Sequence, residues 1–184
     1  MNYKVLSTKI LDPESKKELN HSFYQYSEKD FIKIIPTDHY LSEIVCDSLI
    51  FTSQNAVQIF LKNSELKKYK SKKIFCVGDT SKSLLRKNKF RVENCFNDSS
   101  SLAKFITKNN KSDKFLYLCG KNRLKNIEEI LSNNNVDLII EELYETKLLY
   151  EKVNCMYDFI LFYSPSGVES FIKNNFIEKS ICFC

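Results

Sequence analysis

The chain has 184 residues, 43% hydrophobic and 13% aromatic, which suits one large or two small globular cores and excludes a disordered chain. No apolar run approaches the roughly 20 residues that cross a bilayer, and the amino-terminal stretch turns polar too soon for a signal peptide, so the cytoplasm is the expected compartment and no membrane partner is expected. The net charge of +5 rests on lysine, with only Arg86, Arg91 and Arg123 as arginines, which argues against a nucleic-acid partner because base and phosphate readers draw on arginine's bidentate fork.

In chain order, short apolar runs alternate with helix-spaced segments. A strand at 4–7 is followed by a helical stretch that Pro13 suits as a first-turn residue, and a second strand is predicted at 31–36. The strand 48–52 passes through Thr52 and Ser53 into a helix with apolar residues at Ala56, Val57, Phe60 and Leu61. The basic run Leu66 to Lys73 reads as a solvated loop. The strand 73–77 ends at Gly78, ahead of a helix carrying Thr80 and Ser81. The strand 91–96 precedes helical spacing at Leu102, Phe105 and Ile106. The strand 114–119 leads through Gly120, Lys121 and Arg123 to a helix with Leu124, Ile127, Ile130 and Leu131, then to a strand at 136–144. Finally the strand 158–163 turns through Ser164, Pro165, Ser166 and Gly167 into a helix with Val168, Phe171 and Ile172, and a last strand is predicted at 180–184. Continuous apolar strands alternating with helices predict parallel sheets covered on both faces.

The three glycines, Gly78, Gly120 and Gly167, each fall where a strand hands over to a helix. Ligands of open α/β sheets bind outside that edge, where first-turn N–H groups and the positive end of the helix dipole receive anions. Glycine also simply relieves tight turns. Hydroxyls share these turns at Thr52, Ser53, Thr80, Ser81, Ser164 and Ser166, and Ser166 with Glu169 has the spacing of a capping box.

Other chemistries lack their residues. No phosphate-loop or GxGxxG pattern is present, and no His or Cys is placed to activate a serine. The seven cysteines have no CxxC spacing; Cys76, Cys119 and Cys182 read as small buried hydrophobes. Cys182 and Cys184 could make half a metal site, but His21 and His39 are far from any cysteine, so no metal is expected. Disulfides are not expected in this compartment. An enzyme built from this inventory works by binding and orienting its substrate.

The chain also repeats itself. "LIFTSQNAVQIF" (49–60) aligns with "ILFYSPSGVESF" (160–171) through Phe51/Phe162, Ser53/Ser164, Val57/Val168 and Phe60/Phe171, and "KKIFCV" (72–77) aligns with "KSICFC" (179–184). "KFLYLCGKNRLKNIEEIL" with "VDLIIEE" resembles the opening strand–helix–strand ending in "DFIKII". The predicted architecture is two doubly wound parallel-sheet α/β domains joined by a two-stranded hinge. Domain 1 is discontinuous, 1–36 and 146–184, and domain 2 is inserted at 37–145. No counterpart of Gly78 to Ile106 follows "SICFC", so domain 1 is expected to be C-terminally incomplete, its sheet ending on an uncovered apolar strand.

"LIFTSQNAVQIF", "VGDTSKSLL", "FLYLCGKNRLKNIEEIL", "ELYETK" and "ILFYSPSGVESF" together resemble the uroporphyrinogen-III synthase family, in that family's order and spacing. The resemblance implies closure of hydroxymethylbilane, a linear tetrapyrrole rich in carboxylates, with loss of water and inversion of ring D. It implies no metal or organic cofactor and a small-molecule substrate as sole partner of a monomer. It places Thr52, Ser53, Ser81, Ser164, Ser166 and Gly167 at turns facing a cleft between domains, where they and neighbouring N–H groups hold carboxylates. Lys121 and Arg123 are either further charges for the substrate or plain solvent residues. Tyr144 is either the donor that helps the hydroxyl depart or a hinge tyrosine packed on the linker. The alternative is a family remnant, truncated before the family's Gly-x-Thr-Thr turn and acting at most as a tetrapyrrole-binding module.

Overall fold

The computed structural model describes residues 3–18, 24–38, 44–63, 66–177 and 179–183; His21, His39 and Cys184 lie outside them. The chain divides into two compact units, Met1–Ile34 with Thr146–Cys184, and Ile35–Glu145.

The Ile35–Glu145 unit is built on β4 (Ser48–Phe51), β5 (Lys73–Val77), β6 (Val92–Phe96), β7 (Phe115–Gly120) and β8 (Leu138–Leu148). Its sheet runs β3-β8-β7-β4-β5-β6, with β3 at Ile32–Pro36. The ladders from β8 to β6 are parallel. The central strands β4 and β7 are buried at every position, as expected of strands with helices on both faces. Helices α2 (Gln54–Phe60) and α3 (Asp79–Lys87) pack together, as do α4 (Ser99–Asn109) and α5 (Asn126–Asn133). Phe75, Phe115 and Tyr117 meet Leu102, Ile106, Ile127 and Leu131 in one core.

In the other unit the order is β10-β9-β1-β2, from β1 (Tyr3–Ser7), β2 (Tyr24–Glu28), β9 (Phe159–Leu161) and β10 (Ile181–Phe183), all parallel. Helix α6 (Pro165–Ile172) covers one face, where Leu6, Ile160, Phe162 and Phe171 close around Phe31. Helix α1 is short, Pro13–Glu18.

The structure departs from the sequence expectation at several points. The partner of β1 is Tyr24–Glu28 rather than 31–36: β2 is an edge strand whose residues alternate between half-buried and exposed, so it lacks the continuous apolar run of a central strand. The segment 32–36 instead lies beside β8, antiparallel, with Thr37 N–H donating to Leu143 O at 3.0 Å and Leu149 N–H to Phe31 O at 3.0 Å. Cys182 is exposed on β10 instead of buried, whereas Cys76 and Cys119 are buried, and burial pushes both of those thiols up to about 12.

The β5/β10 match also slips by one residue. Ser48 stands opposite Lys73, and its counterpart Phe159 stands opposite Ile181, so Lys73 corresponds to Ile181 and Phe75 to Phe183. Ser180 is drawn off the ladder by its hydroxyl, which donates to Tyr157 O at 2.6 Å. Phe75 is fully buried under α4 and α5, whereas Phe183 is 52% exposed. Its ring continues a row with Phe159 and Tyr3 on the open face of the sheet.

The basic run is anchored more firmly than a solvated loop. Tyr69 is buried within it, and Lys70 Nζ lies 3.8 Å from the Phe90 ring centroid and donates to Asn88 O.

Candidate functional site

Parallel register sets the site's frame. Phe51, Cys76 and Leu118 stand abreast, so 52–53, 77–81 and 119–123 all leave the same carboxyl edge of one sheet. This is the edge where open α/β sheets receive ligands.

Two hydroxyl pairs stand there. Ser53 Oγ and the Tyr144 hydroxyl are hydrogen-bonded at 2.8 Å, and Thr52 Oγ1 and the Tyr117 hydroxyl at 2.7 Å. Ser53 is the N-cap of α2, and its Oγ also accepts the Asn55 N–H at 3.2 Å. Burial raises the Tyr144 hydroxyl above its ordinary pKa, against the lowering effect of hydrogen bonds from Ser53 and Asn55. Burial likewise takes Tyr117 up to about 12. Both phenols therefore stay protonated at neutral pH.

A close approach explains why Tyr144 sits where it does. The Gly120 Cα faces the Tyr144 ring so closely that a Cβ there would lie 2.6 Å from ring Cζ and 2.9 Å from the hydroxyl. Gly78 is needed for a different reason: it precedes α3 with φ +83°, and its N–H donates to Phe96 O at 2.9 Å.

Ser81 is buried in the first turn of α3. Lys121 is exposed and ion-paired to Glu145, which raises its pKa. Arg123 is not a plain solvent residue: its side chain is 13% exposed, with Nε 2.5 Å from Glu128 and Nη1 2.6 Å from Glu142. Burial alone would lower the Arg123 pKa, but the two carboxylates raise it.

Ser164, Ser166 and Gly167 belong to the other unit. Ser164, not Ser166, caps α6: its Oγ accepts the Gly167 N–H at 3.1 Å while Pro165 takes the first helical position. The Ser166–Glu169 spacing therefore does not make the cap, because the helix begins one residue before Ser166. Ser164→Ala is expected to cost about 1 kcal/mol of stability, measured by urea denaturation.

Hydroxyls that sequence reasoning missed gather around the carboxyl ends of β1 and β9. Ser7 Oγ lies 3.2 Å from the Tyr163 hydroxyl, Thr8 Oγ1 donates to Leu161 O at 2.8 Å, and the Tyr26 hydroxyl donates to Glu28 at 3.2 Å. The Ser-Thr pair closing "KVLST" was the available signal. Tyr117, a phenol within an otherwise apolar strand, was another.

Parallel-sheet α/β units with hydroxyl-rich carboxyl edges define the structural class. The family model for uroporphyrinogen-III synthase HemD matches residues 17–179, and the chain belongs to that family, whose function lies in tetrapyrrole biosynthesis. The crystal structure of uroporphyrinogen-III synthetase from Helicobacter pylori is similar at 20% identity and a TM-score of 0.70, covering 99% of this chain and 83% of that one. Uroporphyrinogen III synthase from Thermus thermophilus is similar at 12% identity and a TM-score of 0.58, covering 93% and 76%. No curated protein matches. Among the described residues, no helix is long and apolar enough to cross a membrane.

Proposed function

We propose that the protein closes hydroxymethylbilane to uroporphyrinogen III, losing water and inverting ring D. The observation that carries this reading is the Ser53–Tyr144 hydroxyl pair, held on Gly120 at the carboxyl edge of the sheet. Tyr144, protonated at neutral pH, donates toward the departing hydroxyl, and Ser53 orients it. Loss of that hydroxyl leaves an electrophilic azafulvene. Ring D attacks it through its substituted carbon, the spiro intermediate fragments, and reclosure at the other carbon inverts the ring. The protein's contribution is to enforce one folded geometry, because closure in free solution gives the uninverted isomer.

Thr52, Ser53, Ser81, Ser164, Ser166 and Gly167 supply hydroxyls and N–H groups for the acetate and propionate carboxylates. Lys121, exposed near that edge and paired to Glu145, contacts a carboxylate by exchanging that partner. The protein acts as a cytoplasmic monomer without a metal or organic cofactor.

Freshly prepared hydroxymethylbilane incubated with the full chain is expected to yield predominantly the III isomer, resolved by chromatography of the oxidised porphyrins. Product that is all I isomer ends the reading. Retention of the linear tetrapyrrole without closure leaves the binding-module alternative.

A further inference from the structure

The ladder between β7 and β8 is irregular at one point. Cys119 stands opposite Glu142, but Gly120 stands opposite Tyr144, so Leu143 is an extra residue on β8. Such a bulge re-aims the side chains that follow it. Here it brings Tyr144 abreast of Gly120, where the ring lies against the glycine and its hydroxyl meets Ser53.

Arg123 holds both sides of this bulge. Its Nη1 donates to Gly120 O at 3.0 Å on β7 and to Glu142 Oε1 at 2.6 Å on β8, while its Nε donates to Glu128 at 2.5 Å on α5. Its guanidinium carbon is 6.0 Å from the centroid of Tyr117, whose hydroxyl is bonded to Thr52. One side chain thus braces the supports of both hydroxyl pairs. Two carboxylates already balance the guanidinium charge at Nε and Nη1, which weakens its attraction for a further carboxylate.

We propose that Arg123 is a positioning residue that pins the β7–β8 bulge and thereby holds Tyr144 on Ser53, without itself touching substrate. Its catalytic part rests on the ring-closure reading above. A lysine keeps the charge but cannot reproduce the planar fork. R123K is expected to lower kcat about tenfold or more with KM changed less than about twofold. In a Tyr144→Phe background the same substitution should change kcat by less than about twofold, because the hydroxyl that it positions is gone.

A rise in KM carried unchanged into the Tyr144→Phe background would make Arg123 a substrate ligand and overturn the proposal, and so would wild-type kinetics in R123K. A substrate-free arm separates this from the ring-closure reading. With 13C-labelled tyrosine, the Tyr144 ring signal, identified by its loss in Tyr144→Phe, should titrate nearer the ordinary tyrosine value in R123K than in the wild type. An unchanged titration with an intact circular dichroism spectrum refutes the positioning role, even if the wild-type chain makes no uroporphyrinogen III. If R123K fails to fold, Glu142→Gln removes a single bond of the clamp and is read by the same titration, with the same two outcomes.

Discussion

Gly120→Ala is expected to lower kcat for uroporphyrinogen III formation about a hundredfold and to cost about 1–3 kcal/mol of stability. The added methyl would sit 2.6, 2.7 and 2.9 Å from three atoms of the Tyr144 side chain. Relief must come from the ring or from β7, and both are buried. If the ring moves, the 2.8 Å bond to Ser53 is lost. The cause is space rather than backbone conformation, unlike Gly78, whose φ of +83° is strained for any side chain although nothing lies within 4 Å of its Cβ position. Isomer analysis and thermal denaturation of the variant check the result. In a Tyr144→Ala background the stability cost of Gly120→Ala should largely disappear, because the clashing ring is absent. A Gly120→Ala protein as active and as stable as the wild type would contradict the packing argument.

Tyr144→Phe is expected to reduce kcat about 10–100-fold with little change in KM, the pattern for loss of a donor used in the transition state. Removing the hydroxyl leaves Ser53 with the Asn55 N–H as its partner and costs about 1 kcal/mol. The sign of the pH effect follows from burial, which raises the folded pKa above the ordinary 10.0. The folded protein then holds this proton more tightly than the unfolded chain. The associated stability is complete below pH 10 and is lost as pH rises through the folded pKa. Wild-type stability should therefore fall more steeply than that of Tyr144→Phe on the alkaline side, as denaturation midpoints between pH 9 and 11 would reveal. Equal slopes would mean that Tyr144 titrates alike in both states.

Strands β4, β5 and β7 were legible in the sequence because each carries at least three consecutive buried apolar residues. The edge strand β2 was not: only every other residue is half-buried, so its pattern is diluted by Gln25 and Ser27. Sequence alignment also matched Phe75 with Cys182, where the register pairs it with Phe183, and a one-residue slip exchanges the two faces of a strand. Within the candidate site, Ser53 and Tyr144 were identifiable as residue types at a turn and in a Y-x-T block. That they touch depends on the bulge at Leu143, which has no local signature. Arg123 was legible as a basic residue near a turn, but its engagement with Glu128 and Glu142 depends on how α5 and β8 pack around it.

The chain enters and leaves the Ile35–Glu145 unit on neighbouring antiparallel strands, with Thr37 and Leu143 joined across a single rung. A segment whose ends adjoin is portable. It can be excised as one uninterrupted polypeptide with its own central strands and helices, whereas the split host would need its two stumps, Ile34 and Thr146, spliced by a short linker. Cutting the gene at this doorway therefore separates one continuous segment from a host left in two pieces, whereas a cut inside β4 or β7 severs a fully buried central strand.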